Sequence, residues 1–336
     1  MSQIQQSTID AATPLAAVPS QRPLAGILFL LLGTTLFPIQ DVIIKSFSDT
    51  YAVHQIVFLR SLCAIPVVLI IAHVDGGLRP FKIGSIGLQT LRAGTAFLSY
   101  LVYYMALAAI GLAETASITF STPLFVTVFA LFFLGEKIGL QRWAAVIVGL
   151  IGVLVIVRPG LGVFEPAAIL ALLAAIAYAV SIVATRKLGP TARGSSMTIF
   201  ILGFFTLGGG LTGLIFSQID IASPHPSLAF LFRPWSWPEP AHWPLFAALG
   251  LISGIGFFAL TQAYRLADAS VVTPFEYTYL PWAILWGFVF FGNLPDLATW
   301  LGLTLIVGAG LFILFRESVR GRAVVSKKGL GVMRQR

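Results

Sequence analysis

The stretch Pro274-Phe-Glu-Tyr-Thr-Tyr-Leu-Pro-Trp282 places a carboxylate between two prolines, inside an apolar run from Ala269 to Phe291 long enough to cross a bilayer. An ionisable group in hydrocarbon costs roughly 3 kcal/mol or more unless it faces a partner or a path. Glu276 is therefore expected to face inward. Pro274 and Pro281 each remove a backbone donor and leave carbonyls open to a ligand. A carboxylate held there can bind a proton, a cation or a cationic substrate group in one conformation and release it in another. Arg92 lies at a similar depth in its own run, about 10 Å from the same membrane face at 1.5 Å per residue, and is the expected competitor for Glu276. Asp41 and Arg60 form a second depth-matched set near the far ends of adjacent runs, which fits a structural ion pair that fixes helix packing.

Polar and aromatic groups surround these charges. Tyr100 and Tyr104 share a helix face by their i, i+4 spacing. Ser117, Ser121 and Thr122 flank Pro123, and Tyr264, Tyr277 and Trp282 add aromatic surface near the same interface. The expected substrate path thus holds Glu276, Arg92, Tyr100, Tyr104, Ser117, Ser121, Pro123, Tyr264, Tyr277, Pro281 and Trp282, although aromatic residues in membrane helices more often pack or anchor at the interface. His54 reads as an interfacial residue and the single Cys63 as a small core residue. The Trp- and Pro-rich stretch from Arg233 to Trp243 reads as an ordered loop at headgroup level. HExxH, GxSxG and Walker sequences do not occur, nor does a His or Cys cluster that would bind metal, so the sequence predicts no enzyme, metal or cofactor.

The elements that must hold these residues follow from composition. The chain has 336 residues, 57% hydrophobic and 10% charged, against roughly 25% charged in soluble domains. About 20 apolar residues span roughly 30 Å of hydrocarbon as a helix. Ten runs qualify, near Leu24 to Ile44, His54 to Val74, Ser85 to Ala109, Glu114 to Leu134, Leu140 to Val157, Pro166 to Thr185, Ser196 to Phe216, Trp243 to Leu266, Ala269 to Phe291 and Leu297 to Phe315. They are apolar all round, which excludes the alternating strands of an outer-membrane barrel. The expected fold is an all-α integral membrane protein.

Positive charge stays on the cytoplasmic side of a membrane. One face collects Arg22, Arg79, Lys82, Lys137, Arg142, Arg186, Lys187, Arg193, Arg265 and the basic residues from Arg316 to Arg336, while the other has Lys45, Arg158 and Arg233. Both termini are thus predicted to be cytoplasmic, in a multi-pass protein of the cytoplasmic membrane. The net charge of +8 reflects this topology and a tail resting on anionic lipid headgroups, not nucleic-acid binding.

Sliding the chain along itself pairs Pro123 with Pro281, Phe133 with Phe291, Gly152 with Gly310 and Arg158 with Arg316; earlier in the halves it pairs Leu28 with Leu170 and Lys45 with Lys187. Each half then holds five spans, and an odd number turns the second half upside down. Two inverted five-helix repeats are a transporter signature, with substrate held near the midplane at the repeat interface. The predicted division is a cytoplasmic tail over 1–22, repeats over 23–160 and 161–317, and a basic tail over 318–336.

The stretches ALAAIGLAETASITFSTPLFVTVFALFFLGEKIGLQRWAAVIVGLIGVLVIVRPG, Ala106 to Gly160, and ADASVVTPFEYTYLPWAILWGFVFFGNLPDLATWLGLTLIVGAGLFILFRE, Ala267 to Glu317, resemble the two-EamA-domain branch of the drug/metabolite transporter superfamily. The resemblance covers about residues 22 to 317. It implies ten spans and transport of a small organic metabolite by alternating access. Relatives export amino acids and other metabolites or import compounds such as S-adenosylmethionine and riboflavin, so the substrate stays open, as do direction, proton coupling, exchange and oligomeric state. One departure is that Gly135-Glu136 has Gly292-Asn293 as its counterpart. A channel or receptor and an intramembrane enzyme are the competing classes; the inverted repeat favours alternating access over a static pore, and the missing catalytic motifs weigh against the enzyme.

Overall fold

The structure is a computed structural model that describes residues 23–74, 85–134, 139–159, 165–188, 194–216, 223–267 and 272–332. The expected N-terminal tail, the Gly135-Glu136 pair and many of the loop cations used to orient the chain lie outside these residues. So does the side chain of Tyr264.

Apolar runs with no internal water to satisfy their backbone must become helices, and among the described residues there is no strand. The order is α1 (Pro23–Phe47), α2 (Val53–Val74), α3 (Ile86–Ala109), α4 (Leu112–Thr119), α5 (Thr122–Leu134), α6 (Leu140–Val157), α7 (Ala167–Leu188), α8 (Gly194–Phe216), the short α9 (Pro226–Phe232), α10 (Trp243–Leu266), a 3-10 helix (Thr273–Thr278), α11 (Tyr279–Phe291) and α12 (Leu297–Val332). Among the described residues, eight stretches are long and apolar enough to cross a membrane, one of them Leu112–Phe133, which joins α4 and α5.

The third and ninth expected spans fall short of that standard for separate reasons. Helix α3 has the length, at 24 residues, but carries Gln89, Arg92, Ser99 and three tyrosines. The ninth carries Glu276, two prolines and two tyrosines, and is divided between the six-residue 3-10 helix and the 13-residue α11. Helix α12 runs 36 residues to Val332, through the region expected as a tail, because no proline interrupts it after Asp296.

Span four is also interrupted. Phe120 and Ser121 separate α4 from α5, with Pro123 in the first turn of α5, where a missing N–H costs little. Hydroxyls take up the carbonyls at the break: Ser117 donates to Ala113 O (2.6 Å), Ser121 to Ile118 O (2.7 Å) and Thr122 to Thr119 O (2.8 Å). Side-chain hydroxyls commonly satisfy backbone groups freed by a membrane proline in this way.

Several helix pairings repeat when the halves exchange. Helix α3 lies on α7 as α10 lies on α1, while α2 on α8 and α6 on α12 map onto themselves. At the last crossing two glycines meet: a Cβ on Gly152 would stand 2.7 Å from the carbonyl oxygen of Gly302. Small residues allow such backbone approach where lipid supplies no hydrophobic drive. Leucines such as Leu28, Leu207, Leu211 and Leu301 are exposed along the helices, as a lipid-facing surface requires. This is a multi-pass membrane protein.

Candidate functional site

Six helices from both halves converge on a buried polar centre. Helix α1 brings Gln40 and Asp41, α2 brings Arg60, α3 brings Tyr100, Tyr103 and Tyr104, α8 brings Phe205, α10 brings Ser253 and Phe257, and α11 opens with Tyr279. The three tyrosines fall at i, i+3 and i+4, so helical geometry alone puts them on one face of α3.

Arg60 is 0% exposed. Its Nη1 donates to the Tyr104 hydroxyl at 2.5 Å, and its guanidinium carbon stands over Tyr104, Tyr100 and Phe205 at 5.3, 5.5 and 5.8 Å from their ring centres. Arg60 Nε and Nη2 are buried with no hydrogen-bond partner. Tyr104 also accepts from Gln40 Nε2 at 2.9 Å, and Gln40 Oε1 accepts from Ser253 at 2.6 Å. Asp41 lies within Coulomb range of Arg60, but its Oδ2 accepts from the Tyr103 hydroxyl at 2.8 Å and, more closely, from Tyr279. The two charges are thus held in one polar centre by separate phenols and share no direct ion pair.

A second polar layer lies closer to the start of α3. Arg92 donates from Nε to Thr185 Oγ1 (2.9 Å), Thr185 donates to Ser181 O, and Ser181 donates back to Arg92 O (2.9 Å), which staples α3 to α7. Glu276 is half-buried in the 3-10 helix, and Tyr178 is within Coulomb range of both Glu276 and Arg92. Thr34 and Thr278 hydroxyls meet at 2.9 Å and tie α1 to that 3-10 helix.

Among the other expected path residues, Tyr100 and Tyr104 join Arg60, and Tyr277 packs on Phe120 with its hydroxyl buried against Gly310. Ser117 and Ser121 instead spend their hydroxyls on α4 carbonyls, Ala113 O and Ile118 O. Trp282 stacks on Trp286 at 6.3 Å, and Pro281 is exposed in the first turn of α11. Gln40, Tyr103, Ser253, Phe205 and Tyr279 were not singled out from the sequence. Gln40 had a signal, an amide beside Asp41 in an apolar run; Tyr103 had another, its i+3 spacing from Tyr100.

The far end of the centre is covered by 223–242. His54, expected at an interface, is 0% exposed. Its Nε2 meets Leu231 O at 3.0 Å and its Nδ1 meets the Trp235 indole N–H at 2.6 Å. A carbonyl only accepts and an indole N–H only donates, so His54 is the neutral Nε2–H tautomer. Ser227 donates to Met105 O at 2.6 Å, and the Tyr51 hydroxyl meets His242 Nδ1 at 2.7 Å. Lys45 donates to Leu107 O and, at 2.8 Å, to Ile110 O, which caps the C-terminal end of α3. In the loop before α12, the Arg158 guanidinium bonds Asp296 and holds its carboxyl at about 2, below the ordinary 3.8.

The EamA-like transporter family model matches residues 24–158 and 165–315. The chain is 33% identical over 217 residues to a riboflavin transporter of Rhizobium johnstonii, covering 64% of this chain and 66% of that protein. It is 26% identical over 294 residues to an S-adenosylmethionine uptake transporter of Rickettsia prowazekii, covering 88% and 94%. A protein of known crystal structure, 22% identical, shares the fold with a TM-score of 0.56 over 87% of this chain and 95% of its own. Two matched domains over all but the ends of an all-helical, membrane-spanning chain give one conclusion: the protein belongs to the EamA-like transporter family.

Proposed function

We propose that the protein is a secondary transporter of the cytoplasmic membrane that moves a small, ring-bearing organic metabolite by alternating access. In this reading ten spans form two inverted five-helix repeats, 23–160 and 161–317, with both termini cytoplasmic, and the polar centre between them is the binding site. The observation that carries it is Arg60, a fully buried cation ringed by Tyr100, Tyr104 and Phe205, with two donors left unpartnered. A buried, incompletely bonded charge is costly as pure structure, which is a reason to look for function there. Aromatic walls with a few convergent polar groups are the usual build of a small-molecule site. The relatives named for riboflavin and S-adenosylmethionine, both flat-ringed compounds, make those the first substrates to try.

The test is counterflow in proteoliposomes. Vesicles loaded with unlabelled riboflavin or S-adenosylmethionine are expected to accumulate the labelled compound transiently above equilibrium. A flat approach to equilibrium with both compounds, at the rate of protein-free vesicles, would reject the reading.

A further inference from the structure

The guanidinium of Arg60 has two distinct edges. Nη1 is spent on the Tyr104 hydroxyl. The two nitrogens without partners, Nε and Nη2, are the pair whose N–H bonds point side by side in one plane, the fork that grips a planar acceptor bidentately. Three rings present their faces to the guanidinium carbon at 5.3 to 5.8 Å, so approach is left to that edge. Asp41, the anion nearest in kind, is engaged by Tyr103 and Tyr279.

Building on the transport reading above, we infer that Arg60 selects the substrate through this side-on fork, and that the substrate carries a planar group with two adjacent in-plane acceptors. A carboxylate has that edge, and so does the carbonyl–ring-nitrogen edge of a flavin. Charge alone does not satisfy the site, because a lysine ammonium cannot present two parallel donors in a plane. Tyr104 positions the fork: its hydroxyl holds Nη1 and accepts from Gln40, whose own amide oxygen is held by Ser253.

Binding to the purified protein in detergent tests this, with tritiated S-adenosylmethionine as the carboxylate probe and riboflavin, followed by its fluorescence, as the ring-edge probe. Wild type is expected to bind one of them, which tells the two sources of the edge apart. Arg60→Lys is expected to weaken that probe at least tenfold, as loss of a charge-assisted hydrogen bond does, while eluting at the native position in gel filtration. If the lysine variant fails to fold, competition on wild type replaces it. Decarboxylated S-adenosylmethionine, or at least one of 1-deaza- and 5-deazariboflavin, keeps the bulk of its parent but lacks an acceptor, and is expected to compete at least tenfold more weakly. Binding by Arg60→Lys, or competition by the analogues, within threefold of the reference overturns the fork and leaves the transport reading standing. Failure of folded wild type to bind either probe overturns both.

Discussion

Single residues set the chemistry of this protein through the cost of charge in hydrocarbon. Arg60 and Asp41 are buried and bonded to phenols, not to each other, so each charge is spread over neutral donors and acceptors and stays available for exchange of partners. Glu276 sits one layer away, in the segment where the ninth span is a 3-10 helix. We propose that it lines the path at that depth, within the electrostatic reach of Tyr178 that Arg92 shares. Glu276→Gln keeps the shape and removes the charge; it is expected to insert normally and to lower transport at least about threefold or change its pH dependence. Uptake at the native rate across pH 5.5 to 8 would make Glu276 a packing residue. The ionisable residues were legible because they interrupt apolar runs. Their surroundings were not: Tyr279, which bonds Asp41, and Ser253, which bonds the neighbouring Gln40, are ordinary residues in sequence, and only the approach of α11 and α10 to α1 gives them a role.

At the scale of elements, the broken helices and the glycine crossing divide the work. The breaks at Phe120–Ser121 and at Thr273–Thr278 fall at corresponding places in the two halves, and both sit beside the polar centre, where Phe120 packs on Tyr277 and Tyr279. Pro123 and its repeat mate Pro281 each stand in the first turn of the helix that follows the break, where a missing N–H costs little, and Pro274 lies within the 3-10 segment itself. The α6–α12 crossing is unbroken and close by contrast. Gly302 faces the Gly152 carbonyl so closely that a side chain there has no room. Gly302→Val is expected to cost about 1–3 kcal/mol by overpacking, read as a lower melting temperature in detergent, while Gly308→Val, where a Cβ meets nothing within 4 Å, leaves it unchanged. Equal melting of the two variants would refute the close crossing.

For the whole molecule, the exchange symmetry of the packing, α3 on α7 matched by α10 on α1, is what two competing arrangements of similar energy require. The orientation proposed from loop charge has a direct check. In a Cys63→Ala background, Glu239→Cys, exposed beside the 3-10 turn Pro240–His242, is expected to react with an impermeant thiol reagent added to intact cells. Gln141→Cys, exposed at the start of α6, is expected to react only after the cells are opened. The reverse pattern would invert the topology. Ser227, though in the same outer segment by sequence, is buried on Met105 and would mislead as a reporter.

Sequence by itself determined the membrane environment, the helical class, the resemblance to a transporter family and the presence of charges that hydrocarbon does not tolerate idly. These are legible because the bilayer acts on each segment separately, by its length and apolarity. Tertiary structure alone decided that Arg60 answers to Tyr104 and not to Asp41, that Asp41 is held by phenols from α3 and α11, and that His54 is sealed beneath Trp235. Those partnerships depend on how each helix is rotated about its axis. That rotation is set by packing between segments far apart in the chain, through contacts such as Gly152 on Gly302, which no single apolar run contains.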